Sequence, residues 1–161
     1  MRPPVDYIER TREQYSALGY PPYAWVHNSD TPPFQPLRKP LERSRVGLVA
    51  SGGIYRQGQV AFHFRDDFSF RVIPRDTPNS ELRVTHFAYD LTDARADPNV
   101  VFPLETLREL QRAGRIGELG PNAYTFMGGI YSARKVRDAL APAIAERLQK
   151  DEVDIAILVP V

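Results

Sequence analysis

Val153-Asp154-Ile155-Ala156-Ile157-Leu158-Val159 is a nearly unbroken apolar run near the end of the chain. A helical pattern stands just before it: Val136, Leu140, Ile144 and Leu148 recur every four residues behind Ser132, a suitable N-cap. Pro142 removes one amide inside that helix and predicts a kink. An apolar strand directly after a long amphipathic helix reads as a parallel strand covered on both faces, and so as the closing half of a crossover unit. Working upstream, Val46 to Ala50 is a second short apolar run followed by turn residues, while Phe70 to Ile73, Leu82 to Phe87 and Ala123 to Met127 are β-rich. Leu104, Leu107 and Leu110 keep helical spacing between Pro103 and Gly114, which predicts a helix over about 103 to 113. Together these elements predict an α/β fold: a layered, mostly parallel sheet with flanking helices.

The first part of the chain has another character. Of 15 prolines, eight (Pro3, Pro4, Pro21, Pro22, Pro32, Pro33, Pro36, Pro40) fall within the first forty residues. Asp6 and Glu9 have capping-box spacing, Ile8, Thr11, Tyr15 and Leu18 recur on one helical face, and Gly19 then Pro21 supply a stop, predicting a helix from about 6 to 18. From Tyr20 to Pro40 prolines alternate with aromatics, as in an extended arm that lays its rings on another surface. The expected organisation is therefore an N-terminal helix and Pro-rich arm over 1–43, and an α/β domain over 44–161.

Composition narrows the function. The 161 residues carry 21 Lys+Arg against 20 Asp+Glu, with the basic residues scattered, so nucleic acid and anionic membranes are not expected partners. No apolar stretch approaches the roughly 18 residues of a spanning helix, and the N-terminus has no apolar signal core; a soluble, cytoplasmic protein is expected. Without cysteine the chain has no thiol nucleophile and no thiolate metal site of its own. The dinucleotide fingerprint is incomplete, since Ser51-Gly52-Gly53 lacks a third glycine ahead of a helix.

In open parallel sheets ligands bind beyond the carboxyl ends of the strands, so the residues that follow each strand carry the functional reading. Ser51, Gly52 and Gly53 follow the first strand, where the glycines let amides approach an anion and the hydroxyl can bond it; a plain tight turn accounts for them equally well. His86-Phe87-Ala88-Tyr89-Asp90 follows another, placing an imidazole, a phenol and a carboxylate within one turn of chain, suited to acid/base work or equally to a structural hydrogen-bond cluster. His86 and Asp90 alone are too few for a metal site. Gly128 and Gly129 follow a further strand and permit close approach of a ligand or of another backbone. His63, between aromatics and ahead of Asp66 and Asp67, is a weaker candidate, and Asp97-Pro98-Asn99 reads as turn chemistry.

Several of these stretches together resemble a known family. Val49-Ala50-Ser51-Gly52-Gly53, Phe70 to Pro74, Thr85 to Asp90, Asn99 to Pro103 with Leu107 to Leu110, Ile116-Gly117 and Val153 to Val159 are similar, in order and spacing, to the glycine/sarcosine/betaine/D-proline reductase selenoprotein B family over about 44 to 161. The resemblance implies a subunit of a reductase that cleaves the bond between an α-carbon and an amine nitrogen. It also implies a selenocysteine or cysteine directly after the strand equivalent to Val153 to Val159. This sequence stops at Val161, about where that residue would begin, so the nucleophile maps onto no position here. A separate chain, a selenocysteine codon read as a stop, or a deliberately shortened chain would each account for this.

The expectation is thus a substrate-side reductase component with a small polar substrate. It binds no cofactor of its own, and a thiol or selenol comes from a partner subunit or a downstream segment. His86 is expected to transfer a proton to the leaving group, Tyr89 and Asp90 to orient it, and Ser51, Gly52 and Gly53 to hold an oxyanion, with Gly128 and Gly129 beside the substrate. The opposing reading is a noncatalytic assembly or small-molecule-binding subunit that docks through the Pro-rich arm, as part of a hetero-oligomer or a homo-oligomer.

Overall fold

The computed structural model describes residues 5–25 and 27–161. Met1 to Pro4, with two of the prolines counted above, and Val26 of the arm lie outside the described residues. The chain divides into two compact units, Met1–Gln35 and Pro36–Val161.

In the first unit, helix α1 (Tyr7–Ala17) starts where the Asp6 carboxylate accepts the Glu9 amide at 3.1 Å. It stops where the chain turns left-handed at Gly19 (φ +72°) and the Tyr20 amide returns to the Tyr15 carbonyl at 2.9 Å. No residue of α1 is buried within the chain. The aromatics pack on one another: Tyr15 meets Tyr20 and Tyr23 edge-on, and Trp25 meets Tyr7 and Tyr23, with centroids 4.7 to 6.0 Å apart. No helix or strand forms between α1 and Pro40 among the described residues.

The second unit is built on one sheet. Strand β1 (Arg45–Ala50) is followed by β2 (Ile54–Arg56), β3 (Phe70–Pro74), β4 (Leu82–Val84), helix α2 (Thr92–Ala96), α3 (Leu104–Arg112), β5 (Glu118–Leu119), β6 (Asn122–Phe126), α4 (Ala133–Lys135), α5 (Ala141–Lys150) and β7 (Ile155–Val159). β1 lies between β7 on one side and β5 then β6 on the other, all parallel, and β3 adds antiparallel beyond β6. The fold is the expected α/β arrangement with a mostly parallel sheet. Because side chains alternate along a strand, β1 feeds both layers. Val46, Leu48 and Ala50 join Ile73, Ala123, Phe102, Leu104 and Leu107 under α2 and α3. Val49 joins Tyr124, Leu140 and Ile144 under α5.

The structure corrects two expectations. β7 is an edge strand covered on one face only: Ile155, Ile157 and Val159 pack on the core, whereas Ala156 is exposed and Leu158 is 71% exposed. Unbroken apolar character therefore overstated its burial, because the helix stripe of Leu140, Ile144 and Leu148 covers β6 and β1 without reaching the outer strand. The run from Leu82 is shorter than expected and does not belong to the parallel sheet. β4 pairs antiparallel with β2, Ile54 opposite Val84, in a separate two-stranded ribbon. The expected kink at Pro142 takes the form of a π-helical stretch, Val136–Leu140, between α4 and α5, which relieves the ring's clash with the preceding turn.

The amino edge of the sheet is held by ion pairs. Arg45 bridges Glu118 (3.0 Å) and Glu152 (2.8 Å), Arg75 reaches Glu118 (2.8 Å), and Lys39 meets Asp154 (2.7 Å). Such exposed pairs each contribute little. The one-sided burial of β7 yields a test: Leu48→Ala, at a site 1% exposed, should lower unfolding free energy by about 2–5 kcal/mol. Leu158→Thr should change it by less than about 1 kcal/mol. Urea unfolding compares the two, and equal losses would mean that β7 is covered on both faces.

Candidate functional site

At the carboxyl edge the chain leaves β1 through Ser51, Gly52 and Gly53. The Ser51 amide donates to the Val159 carbonyl (3.0 Å), and the Gly53 amide to the Phe126 carbonyl (3.0 Å). Gly128 donates its amide to the Ser51 carbonyl (3.0 Å), so Gly52 sits opposite Met127 in a short antiparallel bridge. Gly53 adopts φ +71°, and a Cβ there would lie 2.0 Å from the Thr85 carbonyl oxygen. Only glycine fits both conditions. Its carbonyl accepts the Thr85 amide at 3.0 Å, and this tie carries the β2–β4 ribbon, with His86 just beyond it, to the sheet edge.

His86 is 5% exposed. Its Nδ1 accepts the Ala88 amide at 3.0 Å, which puts the proton of the neutral ring on Nε2, and Nε2 is buried without a partner among the described residues. Burial holds its pKa below the ordinary histidine value, so the ring is neutral at pH 7. It therefore presents an N–H hydrogen-bond donor rather than an imidazolium acid. Tyr89 lies 4.8 Å away by ring centroids and donates its hydroxyl to the Gly52 carbonyl at 2.8 Å; burial raises its phenol pKa. The Phe87 ring stacks on His86 at 5.6 Å and rests on Gly129, where a Cβ would come within 2.3 Å of it. The Ser51 hydroxyl accepts the Val161 amide at 2.9 Å and keeps its own proton to donate.

The fold thus gathers Ser51, Gly52, Gly53, His86, Tyr89, Gly128 and Gly129 at one edge. Asp90 is turned elsewhere: its exposed carboxylate accepts the Thr92 amide (2.9 Å) and hydroxyl (2.7 Å) at the start of α2, and those bonds keep its pKa low. The amides of Ser51 and Gly53 are already bonded within the sheet, which leaves the Ser51 hydroxyl as that turn's side-chain donor. His63 is exposed and lies in a neighbouring loop, where its Nδ1 accepts the Arg65 amide at 3.1 Å. The turn expected at Asp97 is present, its carboxylate accepting the Asn99 amide at 3.0 Å. No metal-binding group of three or more His, Cys, Asp or Glu forms among the described residues, and none of their helices is long and apolar enough to cross a membrane.

Beside the site lies a wall absent from the sequence reading. Phe64, Arg65, Phe87 and Tyr131, with His63, line an open recess of about 620 Å³. Aromatics flanking His63 were visible in sequence, but their meeting with Tyr131, far along the chain, was not.

An α/β domain with loops gathered at the carboxyl edge of a mostly parallel sheet defines the class. The family model described as glycine/sarcosine/betaine reductase selenoprotein B matches residues 23–161, and the chain belongs to that family. Over 130 residues it is 36% identical to the D-proline reductase subunit gamma of Acetoanaerobium sticklandii, covering 80% of this chain and 54% of that protein. It is 37% identical over 134 residues to the glycine reductase complex component B subunit gamma of Symbiobacterium thermophilum, covering 80% of this chain and 31% of that one. A sarcosine reductase complex component B subunit beta of Peptoclostridium acidaminophilum is 26% identical, again over 80% of this chain and 30% of its own length. The chain thus spans about half or less of the length of these relatives. No solved structure matches it.

The state of His86 sets a pH dependence. With its folded pKa depressed, its contribution to stability is complete above about pH 6.5, the unfolded value, and is lost as pH falls below it. The loss has a limiting slope of about 1.4 kcal/mol per pH unit. In urea unfolding at pH 7.5 and 5.5, His86→Gln should therefore show a smaller acid-induced loss than the parent. Equal losses would place the ring's pKa at its ordinary value.

Proposed function

We propose that this chain is the substrate-side component of a reductase complex that cleaves a carbon–nitrogen bond of a small amino acid or amine. Its relatives are named as subunits of D-proline, glycine and sarcosine reductases, and those names share a substrate type bearing an ammonium and a carboxylate. The observation that carries the reading is the buried Nε2–H of His86, without an acceptor among the described residues, at the carboxyl edge of the sheet. An unsatisfied buried donor costs about 1–3 kcal/mol, a cost that makes sense where a ligand supplies the acceptor.

Reductive cleavage needs two electrons. The nitrogen departs as the amine with the bonding pair, the carbon gains a hydrogen, and a dithiol or selenol–thiol pair is oxidised to the mixed or simple dichalcogenide. Histidine, serine, tyrosine and carboxylates move protons and stabilise charge but supply no electrons, and this chain has no cysteine. The attacking thiol or selenol accordingly comes from a partner subunit or from sequence following Val161. In this reading His86 Nε2 donates a hydrogen bond to charge that develops at the departing group or the carboxylate. Tyr89 fixes the ring by contact, and the Ser51 hydroxyl offers a second donor. Gly52, Gly53, Gly128 and Gly129 allow the close packing, and Asp90 acts through its turn into α2.

The purified chain with small amino acids and dithiothreitol should release no ammonia or methylamine. Turnover should appear when a thiol- or selenol-bearing partner is added, and His86→Ala should then reduce it by about 10²-fold or more. Turnover by the chain alone would overturn the external nucleophile, and an unchanged rate in His86→Ala would make that ring structural.

A further inference from the structure

We infer that the free edge of β7 pairs antiparallel with β7 of a second copy of this chain, joining two sheets across a twofold axis at Ile157. The contact is independent of the proposed function. Pairing with β1 fixes which backbone groups of β7 are free. Val159, whose carbonyl accepts the Ser51 amide at 3.0 Å, and Ile157 turn their amides and carbonyls to β1, so those of Ala156 and Leu158 point away from it. These meet no partner among the described residues. The opposite edge of the same sheet is guarded. On β3 the outward carbonyl of Phe70 accepts Arg71 Nη1 (3.2 Å), that of Val72 accepts Gln59 Nε2 (2.9 Å) and that of Pro74 accepts the Thr77 amide (3.0 Å), while Pro74 has no amide to offer. β7 carries no such guard: from Ile155 to Val159 it holds neither charge nor proline, and Leu158 is 71% exposed. An open apolar edge of this kind is a template for another strand.

The sequence of β7 complements itself when reversed. With Ile157 on the axis, Ala156 of each copy lies opposite Leu158 of the other, small against large on the open face, and the two such pairs exchange four amide–carbonyl hydrogen bonds. On the covered face Ile155 meets Val159 and Ile157 meets its own copy. Those side chains are half-buried in one chain, so the pairing extends the apolar layer across the joint. Asp154, directly before the strand, falls opposite Pro160, which has no amide and ends the pairing. The two Asp154 carboxylates then lie about 20 Å apart, past the screening length of about 8 Å. A parallel pairing would set them side by side. Because the strands run oppositely, the two carboxyl edges point to opposite ends of the joined sheet, and neither candidate site covers the other.

Sedimentation of the full chain from about 1 μM to about 1 mM tests this. The contact is short, at the small end of specific interfaces, so a reversible dimer with a Kd of about 1–100 μM is expected. Leu158→Lys should weaken it about tenfold or more, with the far-UV circular dichroism unchanged. The register has its own test, since the chain contains no cysteine. Oxidising an equal mixture of Ala156→Cys and Leu158→Cys should cross-link the two variants with each other in preference to either alone. Directly opposed Cα atoms lie about 5.5 Å apart, whereas like residues are offset by two positions, beyond the roughly 7 Å that a disulfide spans. A monomer at every concentration, which would leave the edge to a strand of another subunit, overturns the inference. So does a dimer indifferent to Leu158→Lys, as association through the aromatics of the first unit would give, and so does cross-linking of either variant alone equal to that of the mixture.

Discussion

β1 is bonded on both sides. It donates to and accepts from β7 along Val46 to Ala50 while it also pairs with β5 and β6, and its side chains enter both apolar layers. A strand used on four sides has no freedom of register, since a slip of one residue would carry Leu48 and Val49 into each other's layer. Everything at the carboxyl edge inherits that rigidity, because Ser51 to Gly53 follow the strand without a break. Gly53 then hands it on to Thr85 and His86 through a contact too close for any side chain.

The layered fold was legible because its signals were periodic. The stripe of Leu140, Ile144 and Leu148 leading through α5, the caps at Asp6 and Ser132, and the leucines of α3 are local statements that tertiary structure did not overrule. What misled was apolar content without periodicity. Val153 to Val159 reads as doubly covered, yet coverage depends on where α5 lies over the sheet, which no property of the strand encodes. The ribbon of β2 and β4 was hidden for a related reason: Ile54 to Arg56 is too short to read as a strand, so the antiparallel partner of Leu82 was missing from view.

For the site, residue types were legible and their engagements were not. His86 and Tyr89 stood out by chemistry, and the structure sets them side by side. Asp90 stood out equally, but its carboxylate belongs to Thr92, a competition that is settled by local geometry. The glycines illustrate the point most directly. Gly129 reads in sequence as room for a ligand or for another backbone, whereas in the fold that room holds the ring of Phe87.

The π-helical stretch before Pro142 links helix winding to the recess. A π turn holds one residue more than an α turn, and removing any one residue between Val136 and Leu140 would restore regular winding. Everything on the amino-terminal side would then rotate by about 100° relative to α5, the angle of one residue. The side chains carried round in that rotation include Lys135, the partner of Asp66, and Ser132, the cap beside Tyr131. The extra residue in the helix thus acts as a phase setting, which keeps the apolar stripe on the sheet while aiming the preceding turn at the loop that carries Phe64.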